Sequence, residues 1–162
     1  MSKICSDILV YLDGSEGSLS SAMYAIMLAK ANNATLHALY VVNTKALSEL
    51  VKAHIFVNLE KDAYLKELEE DSKRHIKHMR KLALSKDVEV ITETVEGSPQ
   101  VEVMKYIKEN EINLLVLGSI NVINSRRDEL ISESDRMLRT SPCPVLVVKD
   151  DEEIWNQFEE LS

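Results

Sequence analysis

A chain of 162 residues, 45% apolar and 28% charged, has the size and make-up of a single globular domain with a sizeable core. Its net charge of −8 argues against nonspecific nucleic-acid binding, which needs cationic side chains to displace phosphate counterions. The same charge disfavours anionic membrane surfaces, and no apolar run reaches the roughly 18 residues that a membrane-spanning helix requires.

The chain begins with "MSKICSDILVYLDGSEGS". Lys3 is its one basic residue, and the short apolar run meets Asp13, so the segment does not read as a signal peptide. The expected location is cytoplasmic. Residues 7–13 read as a buried strand ending in an Asp-Gly turn. Residues 18–33 follow as a helix, with Leu19, Ala22, Met23, Ile26, Met27 and Ala29 at helical spacing. Ser15 or Ser18 is placed to cap it, and Asn32-Asn33 to stop it. Residues 35–42, "TLHALYVV", give a second strand.

Within residues 43–58, which are less clearly patterned, "TKALSELVKAHI" suits a short helix and "IFVN" an extended link. From Leu59 to Ser85 the apolar positions step by three or four between Lys and Glu, which predicts a long amphipathic helix. A third strand is expected over 88–97. A helix follows over 98–111, with Ser98 as its cap and Pro99 in its first turn. Residues 112–119, "INLLVLGS", read as a fourth strand. Residues 128–141 read as a helix that Pro142 stops, and 144–148 as a fifth strand. The acidic tail 151–162 carries Ile154, Trp155, Phe158 and Leu161 on one stripe. It is expected to dock on its own domain, over residues 1–150, or on a dimer mate.

Strands alternating with helices predict an α/β fold: one doubly wound, parallel sheet with helices on both faces. Such a sheet binds ligands beyond the carboxyl ends of its strands, where the strand order reverses. That places Asp13-Gly14-Ser15, the stretch near Val41 to Asn43, and Gly118-Ser119 at the candidate site.

Three stretches resemble the universal stress protein family: "DILVYLDGSEGS", "VEGSPQVEVMKYIKENEINLLVLGS" and "SESDRMLRTSPCPVLVV". Their order and spacing carry the resemblance from about residue 5 to residue 148. It implies five strands in the order 3-2-1-4-5. It also implies a homodimer formed through residues 144–148, an apolar edge strand of the kind that invites pairing.

ATP-binding members of that family carry, after the fourth strand, Gly, two residues, Gly, nine residues, Gly and then Ser or Thr. Here the first position is Gly118, the second Asn121, the third Ile131, and Ser132 follows. Two of the three glycines that bring backbone N–H groups to a phosphate are therefore replaced. Asn tolerates a left-handed backbone, whereas β-branched Ile does not. Asp128, Glu129 and Glu133 add negative charge, which Arg126 and Arg127 offset in part. The resemblance places the ligand contacts on Asp13, Val41, Gly118, Ser119, Asn121, Ser132 and Ser134.

The expected function is that of a non-catalytic stress-response regulator. It would act as a dimer on an unknown protein partner, with weak or lost ATP binding and no resident cofactor. The alternative is an adenine-nucleotide sensor for ATP or AMP with slow ATPase activity. A third reading is a small-anion module using Asp13, Gly118, Ser119 and Ser132. His75 and His78 share a helix face near Asp71, but their charged neighbours favour a solvated surface over a metal site. Cys5 and Cys143 lack CxxC partners and read as free thiols.

Overall fold

The computed structural model describes residues 4–53, 58–118, 133–149 and 152–162. Five parallel strands form one sheet: β1 (Asp7–Leu12), β2 (Thr35–Asn43), β3 (Val90–Gly97), β4 (Leu114–Leu117) and β5 (Val145–Val147). Their order is β3-β2-β1-β4-β5, as the family resemblance implies. In the register Val10 lies between Ala38 of β2 and Val116 of β4.

Six helices are described: α1 (Glu16–Asn32), α2 (Thr44–Lys52), α3 (Asn58–Ser85), α4 (Pro99–Glu109), α5 (Ser134–Thr140) and α6 (Glu152–Glu160). Right-handed crossovers dictate their sides. The chain steps outward from β1 to β2 to β3, which sets α1 and α3 on one face. It then steps the other way through β4 and β5, which sets α4 and α5 on the opposite face.

Strand alternation divides the core accordingly. Ile8, Val10 and Leu12 join Ala22, Ile26, Ile76 and Met79 under α1 and α3. Leu9 and Tyr11 join Leu39, Val41, Val103, Ile107 and Met137 under α4 and α5. The outer strand β3 departs from the expectation of strands buried on both faces. Its residues alternate between half-buried and exposed, because it is an edge and lacks a neighbour on one side.

Helix boundaries follow local chemistry. Gly14 takes a positive φ of 84° at the tight turn after β1. The Ser15 hydroxyl then accepts a hydrogen bond from the Ser18 amide, so α1 starts at Glu16, two residues earlier than expected. Asn33 ends α1 in a left-handed conformation. Ser98 precedes α4 with an extended backbone but makes no capping hydrogen bond through its side chain, so that expected role is not realised. Of residues 43–58, 44–52 form α2, with Leu47 and Leu50 buried, while 54–57 lie outside the described residues. The helix expected over 128–141 is described from Ser134 onward.

The tail helix α6 docks on the α1–α3 face. Ile154 and Phe158 join that core, but Trp155 remains 41% exposed and lies off the buried stripe. Lys86 sits 4.8 Å from the Phe158 ring centre and donates to the Leu161 carbonyl at 2.7 Å. Lys30 donates to the Lys86 carbonyl and to the last residue, Ser162.

Candidate functional site at the sheet's switch point

The strand order reverses between β1 and β4, and the turns after these two strands meet. Gly118 lies against the first turn of α1. A Cβ on Gly118 would come within 2.7 Å of the Gly17 carbonyl carbon and oxygen. This backbone contact by itself accounts for a glycine at position 118, because any side chain would displace α1.

Asp13 occupies the adjacent turn, exposed to solvent. Its Oδ1 accepts from the Ser15 amide at 2.9 Å and from the Ser15 hydroxyl at 2.6 Å. Its own amide donates to the Ser18 hydroxyl at 3.3 Å. Asp13 thus closes an Asx-type turn that positions the cap of α1. One of its carboxylate oxygens is committed to this turn.

Val41 is buried in β2 beneath the α4–α5 face, paired in register with Val95 of β3. Ser134 opens α5, half-buried. Of the seven residues expected to contact a ligand, the structure brings Asp13 and Gly118 together at the turns after neighbouring strands. Val41 lies one strand further over and Ser134 heads the helix on the other face. Ser119, Asn121 and Ser132 lie outside the described residues, as do Arg126, Arg127, Asp128, Glu129 and Ile131.

Beside Ser134, Glu133 is only 4% exposed. Its Oε1 accepts from the Arg136 guanidinium at 3.1 Å, and its buried Oε2 has no hydrogen-bond partner among the described residues. A buried carboxylate oxygen without a donor is costly to the fold. The neighbouring Tyr11 phenol is held protonated well above its usual range, first by burial and then by the charges of Asp13 and Glu133. Tyr40 is pushed up to about 12 by burial and then by Asp13. Tyr11 lies on the α4–α5 side of the sheet and Tyr40 on the α1–α3 side, so the charge of Asp13 is felt by phenols on both faces.

Sequence reasoning expected charge at Glu133 but not its burial. Residue His75 was also read too simply. It is half-buried rather than solvated, stacked on Tyr40 with ring centres 5.9 Å apart and planes at 12°. A Cβ on Gly14 would come within 3.0 Å of its Nε2. Burial lowers the His75 pKa from its ordinary value, with Arg74 and His78 acting in the same direction and Asp13 against them. Asp71 pairs with Arg74. Among the described residues no group of three His, Cys, Asp or Glu is placed to hold a metal ion. Cys5 and Cys143 are both unpaired and half-buried.

A five-stranded doubly wound sheet with its crevice between β1 and β4 defines a nucleotide-binding-type α/β protein, here with an acidic switch point. The sequence profile of the universal stress protein family matches residues 6–149, and the chain belongs to that family. It is 32% identical over 142 residues to Universal stress protein MJ0531 of Methanocaldococcus jannaschii, spanning 88% of this chain and 81% of that one. Its fold matches that of universal stress protein UspA from Lactobacillus plantarum with a TM-score of 0.69, at 24% identity, over 91% of this chain and 99% of the other. It also matches a universal stress protein family protein from Arabidopsis thaliana, solved with AMP bound, with a TM-score of 0.64. That pair is 12% identical, over 90% of this chain and 92% of the other. Membership makes this chain a stress-response protein. No described helix is long and apolar enough to cross a membrane.

Proposed function

We propose that this protein is a non-catalytic regulator of the stress response that works as a cytoplasmic homodimer by contact with a protein partner, its ATP binding weak or lost. The observation that carries this reading is Glu133, a buried carboxylate paired with Arg136 through one oxygen and with no partner for the other among the described residues, one residue beyond the Ser132 that ends the family's phosphate motif. A phosphate brought there meets negative charge in a low-dielectric setting. Asn121 and Ile131, in place of two glycines, support the same conclusion from the sequence. Gly118, the glycine that remains, is already accounted for by its contact with Gly17.

Support for the dimer comes from β5. Its three apolar residues are half-buried, and it pairs only with β4 among the described strands. Such an edge favours a second copy across a two-fold axis.

One observation favours a second reading, an adenosine-compound sensor. The AMP bound in the Arabidopsis relative shows that a protein of this fold accepts a nucleotide with a short phosphate arm. Asp13 keeps one carboxylate oxygen outside its turn, and that oxygen suits ribose hydroxyl groups.

Titration calorimetry of the purified chain with magnesium-ATP and with AMP separates the two. The first reading expects no saturable ATP binding up to about 1 mM, in a sample that sediments as a dimer. Micromolar ATP affinity, or measurable ATP hydrolysis abolished by Asp13→Ala, overturns it.

A further inference from the structure

The α1–α3 face changes along its length. Beside the start of α1 it holds a trench of about 380 Å³, lined in part by Leu12, Ala22, His75, His78 and Leu82. At the other end of α1 the face is strapped by α6, whose last residues reach Lys30.

Helix α6 does not hold its own shape. It is nine residues long, short of the roughly 12 that an isolated helix needs in water. Its last turn has no basic residue. Glu159 and Glu160 stand there instead, at the negative end of the helix dipole. The missing cations come from elsewhere in the chain. Lys86, in the turn after α3, donates to the Leu161 carbonyl at 2.7 Å and to the Glu159 carbonyl at 3.5 Å. The same ammonium lies 4.8 Å from the Phe158 ring centre, a cation–π contact. Lys30, in the last turn of α1, donates to the Ser162 carbonyl and, at 3.0 Å, to the Lys86 carbonyl. The two lysines thus form one clasp.

The apolar seat of α6 is narrow: only Ile154 and Phe158 of its nine residues are buried. The chain is also anchored ahead of the helix. The Val148 amide donates to the Leu117 carbonyl at 2.8 Å, so α6 can leave without drawing β5 from the sheet.

We propose that α6 is a detachable strap, helical when docked and unfolded when released, and that the charge on Lys86 decides between the two states. Neutralising that amine weakens both carbonyl bonds and the ring contact together, so it opens the strap. Release bares the part of α1 that Ile154 and Phe158 cover, while the rest of the domain stays folded. The proposal is independent of nucleotide binding and of the dimer.

The test is native-state hydrogen exchange of the full chain in sub-denaturing urea, with acrylamide quenching of Trp155 alongside. Trp155 is the chain's one tryptophan and lies on α6, so its emission reports on the strap. In the wild type, α6 amides should be at least about tenfold less protected than those of β1 and β4. They should also respond only weakly to urea, because opening the strap exposes little surface. Lys86→Gln should speed α6 exchange about tenfold, the size expected for loss of a charge-assisted hydrogen bond, and should raise quenching of Trp155. Lys86→Arg, which keeps the charge, should stay nearer the wild type. If Lys86→Gln fails to fold, the wild-type pattern and Lys30→Gln decide. Equal protection of α6 and the central strands overturns the proposal, because α6 then leaves only when the whole domain unfolds. Equal α6 rates in the wild type and Lys86→Gln also overturn it, as do equal rates in Lys86→Arg and Lys86→Gln.

Discussion

The crevice at the switch point and the trench between α1 and α3 begin at the same Asp13-Gly14-Ser15 turn but are lined differently. The crevice is bordered by Asp13 and by buried Glu133, and its turns are in backbone contact at Gly118 and Gly17. The trench is lined inside by Leu12, Ala22 and Leu82 and at its mouth by Arg74, His75 and His78. Next to the end of the family's phosphate motif this chain has a buried glutamate, Glu133, paired with Arg136. Arg74, paired with Asp71, and His75 and His78 stand about one helix away, on α3. The location of a pocket in a fold is set by topology, but the sign of its charge is set residue by residue.

The faces also differ in how they are closed. Among the described residues, α6 adds to α1 and α3 on the trench face, whereas the opposite face is covered by α4 and α5. The largest effect should therefore come from Phe158→Ala. Removing this buried ring should cost about 3–4 kcal/mol, read as a lower urea midpoint. A loss below about 1 kcal/mol would show that α6 is an appendage and that the trench face stands without it.

A middle-sized effect is expected at the crevice. Gly118→Ala forces a methyl group against the Gly17 backbone and should destabilise the fold by about 1–3 kcal/mol, measured in the same way. If stability is unchanged, the glycine serves a ligand rather than packing, and the crevice regains a functional claim.

The smallest effect is pH dependence, which involves both faces. His37, beneath α4, lies 2.7 Å from the Tyr106 hydroxyl, and burial lowers its pKa against the opposing charge of Asp7. Burial likewise lowers His75. Both pKa values are depressed on folding, so the unfolded chain binds more protons as the pH drops below the ordinary histidine value near 6.5. Stability should thus be complete above that pH and decline as the solution is acidified through it. His37→Gln should flatten the decline between about pH 7 and 5.5, as followed by urea midpoints. An unchanged slope would assign the decline to His75 and the trench face.

The five strands were legible because each is a short stretch bounded by a turn or a helical period, whereas their order 3-2-1-4-5 came only from the family resemblance. The Asp13 turn was legible from its Asp-Gly pair, and the tail's anchors Ile154 and Phe158 from their spacing. Helix α2 was legible as a short helix, but its end was not, because no clear stop signal separates Lys52 from the residues that follow. The burial of Glu133 was hidden as well, since a glutamate at a helix head is ordinarily solvated. Gly118 gave no local sign of its purpose, because Gly17, its partner, is distant in the chain and adjacent only after folding. His75 sits between charged neighbours that suggest a wet surface. Only the approach of β2, bringing Tyr40, reveals otherwise.

The grip of Lys30 and Lys86 on the last residues has a consequence for strand β5. That strand is three residues long and sits at the border of the sheet, the kind of element that copies of a protein trade with one another. Here it cannot be exchanged alone, because the helix that follows it is seated in the core and fastened beyond. Any exchange of this strand would have to carry helix α6 with it and break its contacts with the core.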